Sequence, residues 1–192
     1  MADRIRLAVS SDADQIAEIY RPFVTDAPTS FEASPPTPEQ MCQRLQDTLE
    51  SYPWLVAERM GLVLGYAYAS QHRVRAGYRW SVDVAVYIRE GYRRSGLGRE
   101  LYGPLLEILR RQGYVNAYAG ITLPNPGSVG LHEAIGFRPV GIYENVGFKV
   151  GSWHDVGWWQ LALGEHAAEP MEPTPLSRLA PSEVDRMLSA PR

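Results

Sequence analysis

The chain reads as an α/β sandwich with a mixed central sheet rather than a doubly wound parallel one. Three observations predict this. Short stretches of strand composition and stretches of helical periodicity share the chain, so sheet and helices must cover one another. Two of the strands are joined near Met60-Gly61, a connection so tight that it requires antiparallel neighbours. The order is strand, two helices, three strands, helix, strand, helix, two strands. That order lacks the strict strand–helix alternation of a doubly wound parallel sheet.

The elements follow in turn. Residues 4–9 alternate polar and apolar as a half-buried strand does. Ser10-Ser11-Asp12 offers cap oxygens to a helix whose apolar face is Ile16, Ile19, Tyr20 and Phe23. Pro28 to Pro38 is a turn-rich loop carrying Phe31 and Glu32, and Thr37-Pro38-Glu39-Gln40 is a capping box that opens a helix to about Leu49. Trp54–Ala57, Leu62–Ala69 and Arg79–Ile88 have strand composition. Leu97, Leu101, Leu105, Ile108 and Leu109 mark a helix that Gln112-Gly113 ends. Tyr114–Ile121 returns to strand, Pro124–Gly127 reads as a loop, and a short helix from about Ser128 to Ala134 stops at Gly136. Strands are predicted around 137–146 and 152–163. Residues 1–165 are thus expected to form one domain, and 166–192 a proline-rich tail on its surface with one helical turn after Ser182.

Composition narrows the classes. At 192 residues, 45% apolar and 21% charged, the chain suits one globular domain. A net charge of −3 and a pI near 5.8 give no general attraction for nucleic acid. The single cysteine, Cys42, excludes an internal disulfide and a cysteine zinc cage. The start carries no secretory apolar core and no run of about 18 apolar residues follows, so no membrane association and a cytoplasmic location are expected. His72, His132, His154 and His166 lack zinc-ligand spacing, so no metal is expected, and no Gly-x-Ser-x-Gly elbow is present.

The segment that carries chemistry runs Val86-Tyr87-Ile88-Arg89-Glu90-Gly91-Tyr92-Arg93-Arg94-Ser95-Gly96-Leu97-Gly98-Arg99. It is a strand, a glycine-bearing loop and a helix start. The first turn of a helix presents unpaired N–H groups and partial positive charge, which suit a phosphate. Gly96 and Gly98 allow close approach to the backbone, while Arg93, Arg94 and Arg99 oppose the helix dipole unless an anion sits there. Leu97 excludes a Walker loop and Leu101 excludes a dinucleotide fingerprint. An arginine-rich turn without a ligand is the alternative.

Arg93-x-x-Gly96-x-Gly98 resembles the Gln/Arg-x-x-Gly-x-Gly/Ala signature of the GCN5-related N-acetyltransferases. The stretch from Asn125 through Ser128 and His132 to Phe137 resembles that family's second cofactor segment, and Gly147-Phe148-Lys149-x-Gly151-x-Trp153-His154-Asp155-Val156 resembles its phosphinothricin and methionine sulfoximine branch. The resemblance spans roughly residues 3–163. It implies the GNAT fold, with a mixed, mostly antiparallel central sheet flanked by helices on both faces, acetyl-CoA as co-substrate, acetylation of the α-amine of a small amino-acid-like acceptor, and a homodimer. Val86, Tyr87 and Ile88 would hold the pantetheine arm. Arg93, Arg94, Ser95, Gly96, Leu97, Gly98 and Arg99 would hold the pyrophosphate, with Asn125 and Ser128 beside the arm. Asp83 takes the place of a glutamate general base, one methylene shorter. His132 stands where other members place a leaving-group acid, and would serve as that acid or as an orienting, proton-relaying residue. Arg75, with Arg73 second, would hold the acceptor carboxylate, and Phe31, with Tyr20 or Tyr78, would wall its side chain.

Each residue also has a plainer reading. Asp83 suits a structural salt bridge to a nearby arginine, His132 a helix-surface histidine, and Trp153, Trp158 and Trp159 sheet packing. His154-Asp155 fits a catalytic dyad or a structural hydrogen bond. Two other functions stay open: an acyl-CoA-binding sensor with a degenerate site, and an acetyltransferase for polyamines or peptide N-termini.

Overall fold

The computed structural model describes residues 4–189; Met1 to Asp3 and the tail's last three residues lie outside them. Seven strands form one sheet: β1 (Arg4–Leu7), β2 (Trp54–Arg59), β3 (Leu62–Gln71), β4 (Ser81–Ile88), β5 (Asn116–Leu123), β6 (Arg138–Lys149) and β7 (Ser152–Ala162). Their spatial order is β1-β2-β3-β4-β5-β7-β6, and every neighbouring pair is antiparallel except β4–β5. Helices α1 (Ala13–Thr25) and α2 (Pro38–Ser51) cover one face. Helices α3 (Leu97–Gln112), α4 (Pro126–Ile135) and α5 (Pro181–Ser189) lie on the other.

The period-2 alternation of side chains divides the core. Along β2, Trp54 and Val56 face α1 and α2, while Leu55 and Ala57 face α3. Met60 (φ 53°) and Gly61 (φ 82°) both take the left-handed conformation that a tight hairpin needs, which fixes the β2–β3 register. The capping box of α2 is formed in both directions between Thr37 and Gln40. Among the described residues no helix is long and apolar enough to cross a membrane.

Two expectations are corrected. The short helix starts earlier than its apolar pattern, because Pro126 occupies the first helical position and the Asn125 side chain caps the turn. The C-terminal segment is more than a surface tail with one turn. α5 is nine residues long, and Val184 and Leu176 are buried in the α3-side core. Polar bonds strap it down: Thr174 N–H donates to Gln112 C=O at 2.7 Å, Gln112 Nε2 donates to Thr174 C=O at 2.8 Å, and Arg111 pairs with Glu183. Proline density hides the segment's two apolar anchors from a reading of composition. Leu176→Ala should therefore lower unfolding free energy by about 2–5 kcal/mol in urea titration, a loss that a loosely attached tail would not give.

Candidate active site

The site begins where the sheet opens. On β4 the parallel ladder to β5 covers only Ser81–Asp83, ending at Asp83 opposite Tyr118. Arg89 N–H donates to Leu64 C=O at 2.8 Å, which sets the phase of the β3–β4 pairing. By alternation, Val86 and Ile88 then turn their peptide N–H and C=O groups away from β3, toward the space between the parting strands. A chain of amides lying there would find peptide donors and acceptors at a strand's spacing.

The loop after β4 is shaped for an anion. Gly91 (φ 86°), Arg94 (φ 62°) and Gly96 (φ 90°) are left-handed, and Gly96 is the N-cap of α3 with no side-chain cap bond. Gly96 C=O accepts from the N–H groups of Arg99 and Glu100, while helix geometry gives Leu97 and Gly98 no intrahelical acceptor. Unpaired N–H groups at a positive helix end are the kind of groups that suit an anion. Residues 91–99 contain three arginines and no carboxylate. Arg93 lies over the Phe23 ring at 4.9 Å, and Ser95 Oγ donates to Tyr92 C=O at 2.7 Å. Gly98 has a second use, since a Cβ there would meet Leu131 Cδ2 of α4 at 2.9 Å. A groove of about 850 Å³ opens at Gly96 and Arg99, runs along α3 past Gly103 and reaches Arg186 and Met187 of α5.

Asp83 is the last β4 residue paired with β5, on the face shared with Ser70, Tyr68 and Tyr87. Its Oδ1 lies 2.6 Å from His72 Nδ1, so its partner is a histidine rather than an arginine. Burial raises the carboxyl above its ordinary range, and His72 and Arg73 only partly oppose this. Around the pair stand Tyr118, Tyr78 and Trp158, and Arg73 covers the Trp158 ring at 5.3 Å. Trp158 Nε1 is buried with no hydrogen-bond partner among the described residues. Arg75 is exposed and precedes the short turn Ala76–Tyr78.

The loop 28–37 is pinned from several sides. Lys149 Nζ donates to Ser30 and Glu32 carbonyls, each at 2.6 Å, and Thr122 Oγ1 reaches Thr29 C=O at 3.4 Å. Phe31 does have a partner, contrary to its sequence context: its ring packs on Gly147 of β6, where a side chain would collide with it. Glu32 makes a bidentate pair with Arg44 and accepts from Tyr20, and that arginine bond chiefly holds its carboxyl below the usual range. A pocket of about 280 Å³ lies beside this network, floored by Trp54, Tyr66 and Tyr68.

The geometry decides between open readings at two places. His132 is buried, its Nδ1 bonded to Ser128 C=O at 2.7 Å and its Nε2 to Tyr102 hydroxyl at 2.9 Å. Both ring nitrogens are committed, and burial lowers its pKa, so the imidazole is a neutral core group rather than a free acid. His154 and Asp155 make no dyad. His154 Nε2 bonds Lys149 C=O at 2.9 Å, and Asp155 Oδ1 accepts Asn145 N–H at 2.7 Å within the irregular β6–β7 pairing. Asn125 Oδ1 accepts Ser128 N–H at 3.1 Å, which makes it first of all a helix cap. His72, Tyr118 and Trp158 were not singled out as site residues by sequence reasoning, because their meeting depends on pairing between distant strands.

Residues 5–158 match the acetyltransferase (GNAT) domain family. The chain is 38% identical to a phosphinothricin N-acetyltransferase of Streptomyces viridochromogenes, over 91% of this chain and 95% of that one. It is 35% identical to a Salmonella typhimurium L-methionine sulfoximine/L-methionine sulfone acetyltransferase, over 85% and 96%. A GNAT-superfamily phosphinothricin acetyltransferase from Sinorhizobium meliloti, solved in complex with acetyl-CoA, superposes with a TM-score of 0.85 at 35% identity, covering 93% of this chain and 98% of that one.

Proposed function

The chain belongs to the GNAT acetyltransferase family and is an N-acetyltransferase with acetyl-CoA as co-substrate, and from that premise we propose that it acetylates the α-amine of a small amino-acid-like acceptor. Phosphinothricin, methionine sulfoximine and methionine sulfone are the acceptors named for its relatives. The observation that carries the reading is Asp83, a half-buried carboxylate at the point where β4 and β5 part.

Acetyl-CoA supplies an acetyl group activated as a thioester. Val86 and Ile88 peptide groups hold the pantetheine amides, with Val86 N–H as oxyanion donor. The N–H groups of Leu97 and Gly98, with Arg93, Arg94 and Arg99, hold the pyrophosphate, and the groove along α3 takes the nucleotide end. Asp83 accepts one proton from the acceptor's α-ammonium and frees the nitrogen lone pair. The nitrogen adds to the thioester carbonyl to form the C–N bond, and the oxyanion so formed collapses and breaks the C–S bond. The second proton lost from nitrogen neutralises the departing thiolate as free CoA. Burial raises the Asp83 pKa, which strengthens it as a base. Arg73 or Arg75 binds the acceptor carboxylate, and Trp158, Tyr78 and Tyr118 enclose the acceptor. The site residues thus act without a covalent enzyme intermediate, in a cytoplasmic enzyme whose one cysteine is unpaired.

The test is CoA release with L-phosphinothricin, L-methionine sulfoximine, L-methionine sulfone, proteinogenic amino acids and spermidine as acceptors. Turnover of the glutamate and methionine analogues is expected. Turnover of spermidine alone would overturn the acceptor assignment, and silence with acetyl-CoA still bound would favour a sensor.

We also propose a homodimer. Val140, Ile142, Phe148 and Trp153 of the β6–β7 hairpin are each more than half exposed, a concentration of apolar surface that a monomer rarely leaves open. Light scattering should give twice the chain mass, and Ile142→Glu with Phe148→Glu should give the monomer. A monomeric parent would contradict the assignment.

A further inference from the structure

We propose that His72 is a positioning residue that orients the Asp83 carboxylate and keeps it ionised for proton removal. This rests on the reading of Asp83 as the base. The Nδ1–Oδ1 separation of 2.6 Å is that of a strong, charge-assisted bond. A carboxylate partner accepts, so His72 donates Nδ1–H, and the second carboxylate oxygen of Asp83 stays available.

The imidazole is itself held. Its ring stacks on Tyr118 at 4.4 Å and 16° and meets the edges of Tyr78 and Trp158, each at 6.0 Å. Arg73 adds a bond to the His72 carbonyl at 2.8 Å while lying over Trp158. The His72 side chain is 12% exposed and that of Asp83 30%, so the histidine forms the inner support and the carboxylate the outer, reachable group. A histidine that merely filled space would not need a ring fixed on three sides with one nitrogen aimed at the only carboxylate on β4.

The other groups coupled to this carboxylate are Arg73 from the β3–β4 loop, Tyr68 from β3 and Tyr118 from β5; both tyrosines carry raised pKa values, chiefly from burial and in part from Asp83. Of these, only His72 and Arg73 counter the effect of burial on Asp83. Removing His72 therefore raises the Asp83 pKa further, and the acid limb of the rate profile moves to higher pH.

The experiment measures kcat against pH with L-phosphinothricin and L-methionine sulfone for the parent, His72→Phe, His72→Asn and Asp83→Asn, together with acetyl-CoA affinity. His72→Phe should lower kcat about tenfold or more, the size of a lost bond to a charged group, and shift the acid limb upward with acetyl-CoA affinity unchanged. His72→Asn, which keeps an N–H near the Nδ1 position, should restore most of both. An unshifted limb and unchanged kcat in His72→Phe would overturn the proposal, as would His72→Asn behaving like His72→Phe. Full activity of Asp83→Asn, or a parent that turns over neither acceptor, would instead remove the reading beneath it.

Discussion

Asp83→Asn is expected to lower kcat by about 10²–10⁴-fold, the usual contribution of a positioned general base, while acetyl-CoA affinity stays at the parent value. The substitution keeps the shape of the side chain and leaves His72 an oxygen to donate to, so the β3–β4 pairing and the Tyr118–His72 stack have no reason to move. It removes only the ability to take a proton. Acetyl-CoA affinity is insulated because the groups assigned to the pantetheine begin at Val86, and the pyrophosphate loop lies further on still. Steady-state kinetics with equilibrium binding separates the two quantities. A variant with parental kcat would show that the amine loses its proton elsewhere.

Gly96→Val is expected to weaken acetyl-CoA binding by about tenfold or more, with a smaller effect on folding. At φ 90°, Gly96 holds a conformation that costs an L residue about 1–2 kcal/mol, and a β-branched side chain makes it worse. Relaxing that strain turns the peptide groups at the start of α3 away from their common focus. A Cβ at Gly96 meets nothing within 4 Å, so the loss would come from backbone geometry and not from a collision. Gly98→Val would be less clean, since its side chain strikes Leu131 and disturbs the α3–α4 contact as well. Calorimetric titration with acetyl-CoA decides it, and undiminished affinity in Gly96→Val would remove the loop from the pyrophosphate site.

Much of this architecture was legible because its causes are local. Thr37 and Gln40 sit at capping-box spacing, Met60-Gly61 is a turn dipeptide, and the Leu97–Leu109 pattern permits one helix face. The glycine- and arginine-rich loop was legible for the same reason, since strand, turn and helix start are consecutive. What sequence reasoning did not reach depends on distant residues meeting. Nothing local announces that β4 and β5 part after Asp83, or that His72 lies beside Asp83 across a strand pair and on Tyr118 from a third strand. His132 was assigned by its place in a motif, but its chemistry is set by Tyr102 and Phe137 around it. The C-terminal segment was read from its prolines, whereas Leu176 and Val184 decide where it lies.

The central claim is that this site moves an acetyl group from acetyl-CoA to the α-nitrogen of an amino-acid-like acceptor. The most direct test is to incubate the protein with acetyl-CoA labelled with ¹³C in the acetyl carbonyl and with L-methionine sulfoximine, and to follow the label by NMR. The predicted result is an amide carbonyl coupled to the α-N–H of the acceptor, formed in step with free CoA and formed far more slowly by Asp83→Asn. Label that stays in the thioester, appears as free acetate, or arrives on a nitrogen other than the α-amine would contradict it.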